Sequence, residues 1–148
     1  MASEMSTAGI KLYCTAVTAG AARPALTDIS TEIPDVTSIP AIDSAPEGLE
    51  CTPLSETVWK RYIAGLKDPG SDIAIVANDT TSFRTTWATS VTNAATKDIW
   101  YKITIPNRDA FVFKGVPGAL GFNGAEVNSV AQLTGHIVPN TISGFLAS

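Results

Sequence analysis

Residues 99–105, IWYKITI, decide the fold class, because side chains of opposite character alternate along them. Alternation with a period of two is the signature of a β-strand with two different faces. One predicted face carries Ile99, Tyr101, Ile103 and Ile105, and the other carries Trp100, Lys102 and Thr104. Pro106 ends the strand, residues 107–109 form a turn, and residues 110–116 return as the second strand of a hairpin.

Further strands are predicted over residues 10–17, 29–39 with an interruption at Pro34, 71–77 and 127–138, where Pro139 ends the last one. A helix is predicted after residues 78–80, any of which can cap it, because Phe83, Trp87 and Val91 follow at intervals of four; it ends around residues 97–98. A short helical turn is predicted over residues 55–63, a tight turn over 65–70 and a glycine-rich connection over 115–124. This order of strands with a single helix predicts one mainly β domain over residues 1–148. The expected architecture is an antiparallel β-sandwich or half-barrel with one packed α-helix.

Residues 28–56 form an acidic stretch with seven carboxylates, four prolines and no Lys or Arg. We interpret residues 40–55 as a long extended loop, because proline removes backbone donors. Ile42, Leu49 and Leu54 lie along it, and loops of this length are usually functional or disordered. Because a disordered linker carries fewer apolar residues, we expect this loop to dock on a partner.

Composition excludes several classes of protein. The net charge of −4 argues against a protein that grips nucleic-acid phosphates. An acidic wall nevertheless suits a channel that DNA must slide through. No secretion signal and no membrane span are recognisable, so we expect a protein made in a reducing cytoplasm. Charged residues make up only 16% of the chain, which favours a surface covered by further copies of itself.

Residues 57–114 carry eight bases and five acids, a net charge of +3 beside the −7 of residues 28–56. The opposite charges can meet between copies arranged head to tail, or within one subunit, and the sequence leaves both open.

No catalytic, cofactor or metal site is predicted. His136 is the single histidine, and no nucleophile motif accompanies it; pairing with Cys14 or Cys51 remains a weak alternative. The acids lack the regular spacing of a calcium loop, and the glycines at every third residue from Gly115 to Gly124 precede a predicted strand instead of a helix. A sugar-binding face would need an exposed tryptophan such as Trp100.

Five segments in order resemble the tail tube (major tail) proteins of long-tailed, siphophage-type bacteriophages: residues 33–40 (IPDVTSIP), 46–50 (PEGLE), 52–55 (TPLS), 62–68 (YIAGLKD) and 72–78 (DIAIVAN). The resemblance extends over roughly residues 9–139. It implies subunits that form hexameric rings around a shared inner β-barrel, and rings that stack into the conduit for DNA ejection. It also implies location in the virion tail, and contacts with tail tip or baseplate, tape measure and tail terminator proteins.

By this resemblance residues 40–66 reach the neighbouring ring, and both chain termini join the contacts. The predicted inter-subunit residues are Leu49, Leu54, Tyr62, Ile63 and Leu66. The polar faces of two predicted strands nominate Lys102, Thr104, Gln132, Thr134 and His136 for the lumen. Two alternatives stay open: a ring-forming tube protein of a contractile injection or secretion system, and a small ligand- or carbohydrate-binding β-domain.

Overall fold

A computed structural model describes residues 8–43, 45–70 and 72–147. The strands are β1 (Lys11–Thr18), β2 (Thr31–Ile33), β3 (Val36–Ser38), β4 (Pro46–Glu50), β5 (Tyr62–Lys67), β6 (Ile73–Asn78), β7 (Lys97–Thr104), β8 (Ala110–Phe122) and β9 (Gln132–Leu146). A short 3-10 helix spans Leu26–Asp28, and one α-helix, α1, spans Thr81–Ala94. The prediction of a mainly β chain with one helix is confirmed.

Seven strands form one antiparallel sheet in the order β2-β1-β7-β8-β9-β6-β3. The strands β2 and β3 lie at opposite edges of this sheet, yet only Pro34 and Asp35 separate them in the chain. Residues 33 and 36 can be no more than about 11 Å apart, so the sheet must roll until its two edges approach each other at this corner. The result is a rolled, open sheet and not a closed barrel.

The inside of the rolled sheet holds the main core, and α1 packs into it against β8, β7 and β1. The alternation predicted for residues 99–105 is confirmed on β7, because Ile99, Tyr101 and Ile103 are buried in this core. Trp100, on the other face, is buried in a small second cluster with Ile29 and Val112. The helix contributes Phe83 and Trp87 to the main core, as its spacing predicts.

The N-terminus of α1 begins where the sequence predicts it. Thr80 is the N-cap residue, and its hydroxyl accepts a hydrogen bond from the Phe83 amide. The helix ends at Ala94, earlier than predicted, because Lys97 and Asp98 already belong to β7, where they pair with Thr18 and Val17 of β1.

Four local predictions are wrong. Residues 55–63 form no helical turn, and residues 65–67 are part of β5 instead of a turn. The glycine-rich stretch 115–124 is mostly the second half of β8, and Pro139 lies inside β9 instead of ending it. In each case a cross-strand partner, which the local sequence does not reveal, holds the backbone extended: Gly115 pairs with Pro139, and Gly121 with Thr134.

The segment 40–66, which the resemblance assigns to contacts with the neighbouring ring and whose residues 40–55 are predicted as an extended loop, contains regular structure. The strands β4 and β5 pair with each other, Gly48 opposite Ala64 and Glu50 opposite Tyr62, and form a two-stranded sheet apart from the main sheet. Residues 51–61 connect them, and we call residues 46–67 the hairpin. Residues 1–7 of the predicted N-terminal contact arm, and Ser71 at the start of a predicted strand, lie outside the described residues.

Candidate assembly surface

The hairpin carries large apolar side chains that are exposed to solvent in the described part of the subunit. We call this set the hairpin patch; it consists of Leu49, Leu54, Val58, Trp59, Tyr62, Ile63 and Leu66. Leu54 is 104% exposed, Leu66 is 90% exposed and Trp59 is 73% exposed. All five residues predicted for inter-subunit contacts therefore lie exposed on one element. Val58 and Trp59 were missed because residues 55–63 were assigned to a helical turn.

Glu56 organises the end of the hairpin. Its carboxylate accepts hydrogen bonds from the Val58 and Trp59 amides at 3.1 and 3.3 Å, and from Arg61 Nη2 at 2.9 Å. The amide hydrogen bonds, followed by the Arg61 contact, lower the pKa of Glu56 below its ordinary value. Thr52 Oγ1 also accepts from the Arg61 amide at 2.7 Å. These bonds give the connection 51–61 a defined shape, so Trp59 and Val58 are presented on an ordered surface.

A second apolar cluster lies at the connection between β8 and β9. We call it the loop patch; Phe122 is 80% exposed, Val127 is 90% exposed and Val130 is 71% exposed. The Asp79 amide donates to Ala131 O at 2.9 Å and the Ser129 amide to Glu126 O at 3.4 Å. The first bond holds the connection beside the start of α1, and the second closes a turn within the connection. The local pattern does not predict this surface, because it places residues 127–131 in a strand.

The residues predicted for the lumen all lie on the sheet face opposite the main core, on two strands separated by β8. On β7, Lys102 is half-buried: its Nζ donates to Leu26 O at 2.8 Å and lies 4.8 Å from the centre of the Tyr13 ring. Burial lowers the pKa of Lys102. Thr104 Oγ1 donates to Lys11 O at 3.3 Å.

The three lumen candidates on β9 form a polar row beside β6. Gln132 Nε2 donates to Thr37 Oγ1 at 3.3 Å and to Asn78 Oδ1 at 3.4 Å. Thr134 Oγ1 donates to Asn123 Oδ1 at 3.0 Å. His136 Nδ1 lies 2.7 Å from Asp72 Oδ2. The structure brings these three together on one strand, and Lys102 and Thr104 form a separate group.

The candidate chemical sites do not assemble. Cys14 is buried in the main core, 3.5 Å from Ser90 Oγ, and burial raises its pKa. His136 faces the other side of the sheet, so the two cannot form a catalytic pair. Trp100 is only 5% exposed, which removes it as a sugar-binding platform. No cluster of three or more potential metal ligands occurs within residues 8–43, 45–70 and 72–147.

The acidic stretch meets some basic groups within the subunit. Glu32 pairs with Lys11 at 4.0 Å and Glu56 with Arg61 at 2.9 Å. In the described part of the chain, Asp43, Glu47 and Glu50 have no ion-pair partner and are open to another molecule. Part of the acidic charge is therefore matched within the subunit, and pairing of the remaining charge between copies stays a prediction. No helix of the described residues has the length and apolar character needed to cross a membrane.

Comparison with solved structures places this fold among components of phage-tail-like particles. One match is a chain of the anti-feeding prophage baseplate, solved with six-fold symmetrisation, at a TM-score of 0.67 and 9% identity, covering 96% of this chain and 95% of the other. Another match is a chain of the sheath/tube terminator of PVC, an extracellular contractile injection system, in its extended state. Its TM-score is 0.65 and its identity 12%, and the match covers 95% of this chain and 96% of the other. No protein-family model and no curated protein sequence matches this chain.

The two matched chains are covered almost completely, so the likeness concerns the whole fold and not one motif. At 9% and 12% identity it establishes the fold alone. One of the two matched chains belongs to an extracellular contractile injection system, whereas the sequence resemblance pointed to a siphophage tail tube.

Proposed function

We propose that this chain is a structural subunit of a phage-tail-like tube, in which copies form hexameric rings and the rings stack into a conduit for DNA ejection. The observation that carries the proposal is the hairpin patch. An isolated two-stranded hairpin is marginal in water, and seven exposed large apolar side chains on one hairpin are typical of an interaction surface. Both features are accounted for when a neighbouring subunit covers the hairpin.

Three further observations support this assignment. The matched folds belong to components of assembled particles, one of them treated with six-fold symmetry. The resemblance of residues 33–78 to siphophage tail tube proteins covers the hairpin itself. The net charge of −4 suits the wall of a channel that must repel DNA phosphates. The proposed setting is the virion tail, assembled in the bacterial cytoplasm, with tail tip or baseplate, tape measure and terminator proteins as neighbours and no enzymatic activity.

A second candidate is a baseplate or tube-terminator component of a contractile injection system. It is favoured by the identity of the two matched particles, both of which differ from a siphophage tail. The two candidates differ in self-stacking: a tube subunit stacks on copies of itself without limit, whereas a terminator or baseplate component forms a ring and stops.

Negative-stain electron microscopy of the purified protein over a concentration series tests the proposal. We expect rings with a central channel at low concentration and stacked tubes at high concentration. Single rings at every concentration would favour the second candidate. Compact monomers throughout would overturn both.

A double variant tests whether stacking of the rings depends on the hairpin. Leu54→Asp with Tyr62→Asp places two charges in the hairpin patch, and we expect folded subunits that no longer stack. Ser82→Asp with Thr85→Asp adds the same two charges on the exposed face of α1 and serves as the control, which should stack. Tubes formed equally well by the Leu54→Asp, Tyr62→Asp variant would remove the hairpin from the assembly surface.

A further inference from the structure

We infer that the outer face of β9, β6 and β3, which are neighbours in the main sheet, lines the channel of the tube, and that the outer face of β1 and β7 does not. This inference rests on the proposed function, and it decides between the two groups of lumen candidates. It assigns Gln132, Thr134 and His136 to the channel wall. It places Lys102 and Thr104 on a surface outside the channel. The molecule that passes the wall is DNA, which the wall meets without binding.

The middle of the outer face of β7 is covered by the chain itself. Ile29 is buried there with Trp100 and Val112, and Leu26 packs against the same cluster. The Lys102 ammonium group donates to Leu26 O at 2.8 Å, so it is directed at the covering segment. This part of the sheet is therefore not free to line a channel.

The same face carries basic side chains. Lys11, Lys102 and Lys114 lie on it, one on each of β1, β7 and β8. Two of them have a carboxylate nearby, since Lys11 lies 4.0 Å from Glu32 and Lys114 lies 3.9 Å from Asp98. Because lysine ammonium groups bind phosphates, a channel lined by this face would retain the DNA that it must release.

The strands β3, β6 and β9 carry no such charge. Their sequences contain no lysine, arginine, aspartate or glutamate, and His136 is their single titratable side chain. His136 Nδ1 lies 2.7 Å from Asp72 Oδ2, so a proton taken up by the imidazole is matched by the carboxylate. These strands therefore offer phosphates no net positive charge.

Hydrogen-bond donors on this face are directed at partners within the subunit. Gln132 Nε2 donates to Thr37 Oγ1 at 3.3 Å and to Asn78 Oδ1 at 3.4 Å. Thr134 Oγ1 donates to Asn123 Oδ1 at 3.0 Å. A donor that is already satisfied within the protein gains little by exchanging its partner for a passing phosphate.

The neighbours of the polar row are short or apolar. On β6 the row lies beside Ala74 and Val76, and on β8 it lies beside Gly121. Beyond the row, Val138 pairs with Val116, and both are about half exposed. Because none of these side chains can donate a hydrogen bond, the whole face suits a wall past which DNA slides.

Thiol labelling of assembled tubes tests the inference. The background is Cys51→Ser, in which the remaining Cys14 is buried. His136→Cys places a thiol on the proposed wall, and Thr85→Cys places one on the exposed face of α1 as the control. Free subunits and tubes of each variant are treated with N-ethylmaleimide, and separately with a maleimide coupled to a globular protein too large to enter the channel.

We expect N-ethylmaleimide to modify both variants in tubes. The coupled reagent should react at least about tenfold more slowly with His136→Cys tubes than with the free subunits, because access limits the reaction of a thiol. With Thr85→Cys it should react at similar rates in both states. Thr134→Cys keeps the Asp72–His136 pair and nearly the same side-chain volume, so it provides the same measurement if His136→Cys does not form tubes.

Two results would overturn the inference. Rapid reaction of the wall variants with the coupled reagent would place this face on the outside of the tube, and resistance to both reagents would bury it between subunits. Either result leaves tube formation, and with it the proposed function, intact. A wild type that never forms rings would overturn the proposed function and this inference with it.

Discussion

The indole ring of Trp87 lies directly against the backbone of Gly135. A β-carbon at residue 135 would be 2.5 Å from the Cζ2 atom of Trp87, closer than any two non-bonded carbons approach. The same indole donates a hydrogen bond from Nε1 to Gly118 O at 2.7 Å. One side chain of α1 thus contacts both β8 and β9, and the absence of a β-carbon at Gly135 makes room for it.

Gly135→Ala should therefore destabilise the subunit by about 1–3 kcal/mol, because the methyl group overpacks the core. The matched control is Gly121→Ala, since a β-carbon there would lie 3.6 Å from Thr134 O, an ordinary contact. Urea unfolding of both variants measures the difference. Equal free energies of unfolding for the two variants would show that the side chains around Trp87 shift to accommodate the added methyl group.

The corner between the two edge strands is bonded to the start of the helix. Thr80 Oγ1 donates to Asp35 Oδ2 at 2.7 Å while it accepts from the Phe83 amide at 3.2 Å. Thr80→Val removes both bonds at constant volume and should cost about 1–2 kcal/mol. Asp35 has a φ of 62°, so Asp35→Asn, which tolerates this conformation, should be milder than Asp35→Val. Equal effects of the two Asp35 substitutions would argue against backbone strain.

Acid should loosen the hairpin connection through Glu56. Its pKa is lowered from the ordinary value of 4.5 in the folded state, so its contribution is present above pH 4.5 and is lost as the pH falls through the lowered pKa. The fluorescence of Trp59, whose amide donates to Glu56, should respond to this loss. Glu56→Gln lacks the titrating group, so the pH dependence of its Trp59 fluorescence serves as the reference. Identical profiles between pH 7 and 3 would refute the role of Glu56.

The two cysteines should differ sharply in reactivity. Cys51 is exposed on the hairpin connection, whereas Cys14 is buried and has a raised pKa. A thiol reagent should modify one cysteine per folded subunit rapidly, and the second only after unfolding. Cys51→Ser should abolish the rapid phase. A rapid phase that persists in this variant would place Cys14 within reach of solvent.

Trp59 should report assembly directly. It is 73% exposed, whereas Trp87 and Trp100 are 1% and 5% exposed, so a change in polarity on stacking affects mainly Trp59. We expect the emission maximum to shift to shorter wavelength as tubes form, and Trp59→Phe to remove the shift. Stacking of the wild type without a shift would show that Trp59 stays in water within the tube.

The local sequence determined those elements whose own residues contain the signal. The alternation of residues 99–105 defined β7 and its two faces, and the spacing of Phe83 and Trp87 defined α1 together with its cap. The apolar residues of the acidic stretch pointed to Leu49 and Leu54, and the resemblance to tail tube proteins extended the expected contact surface to Tyr62, Ile63 and Leu66; all five side chains are exposed. These signals are local, because period and capping depend on neighbours within a few residues.

Only the tertiary structure decided where the backbone continues against its local preference. Gly115, Gly121 and Pro139 lie within strands because their cross-strand partners hold them there, and such pairing joins residues far apart in the sequence. The hairpin of β4 and β5, and the burial of Lys102 beneath Leu26, depend on the same kind of long-range contact. The sequence by itself therefore specified a β-rich subunit whose acidic segment carries exposed apolar side chains. Long-range strand pairing decided that the main sheet has seven strands and that residues 46–67 form a separate hairpin.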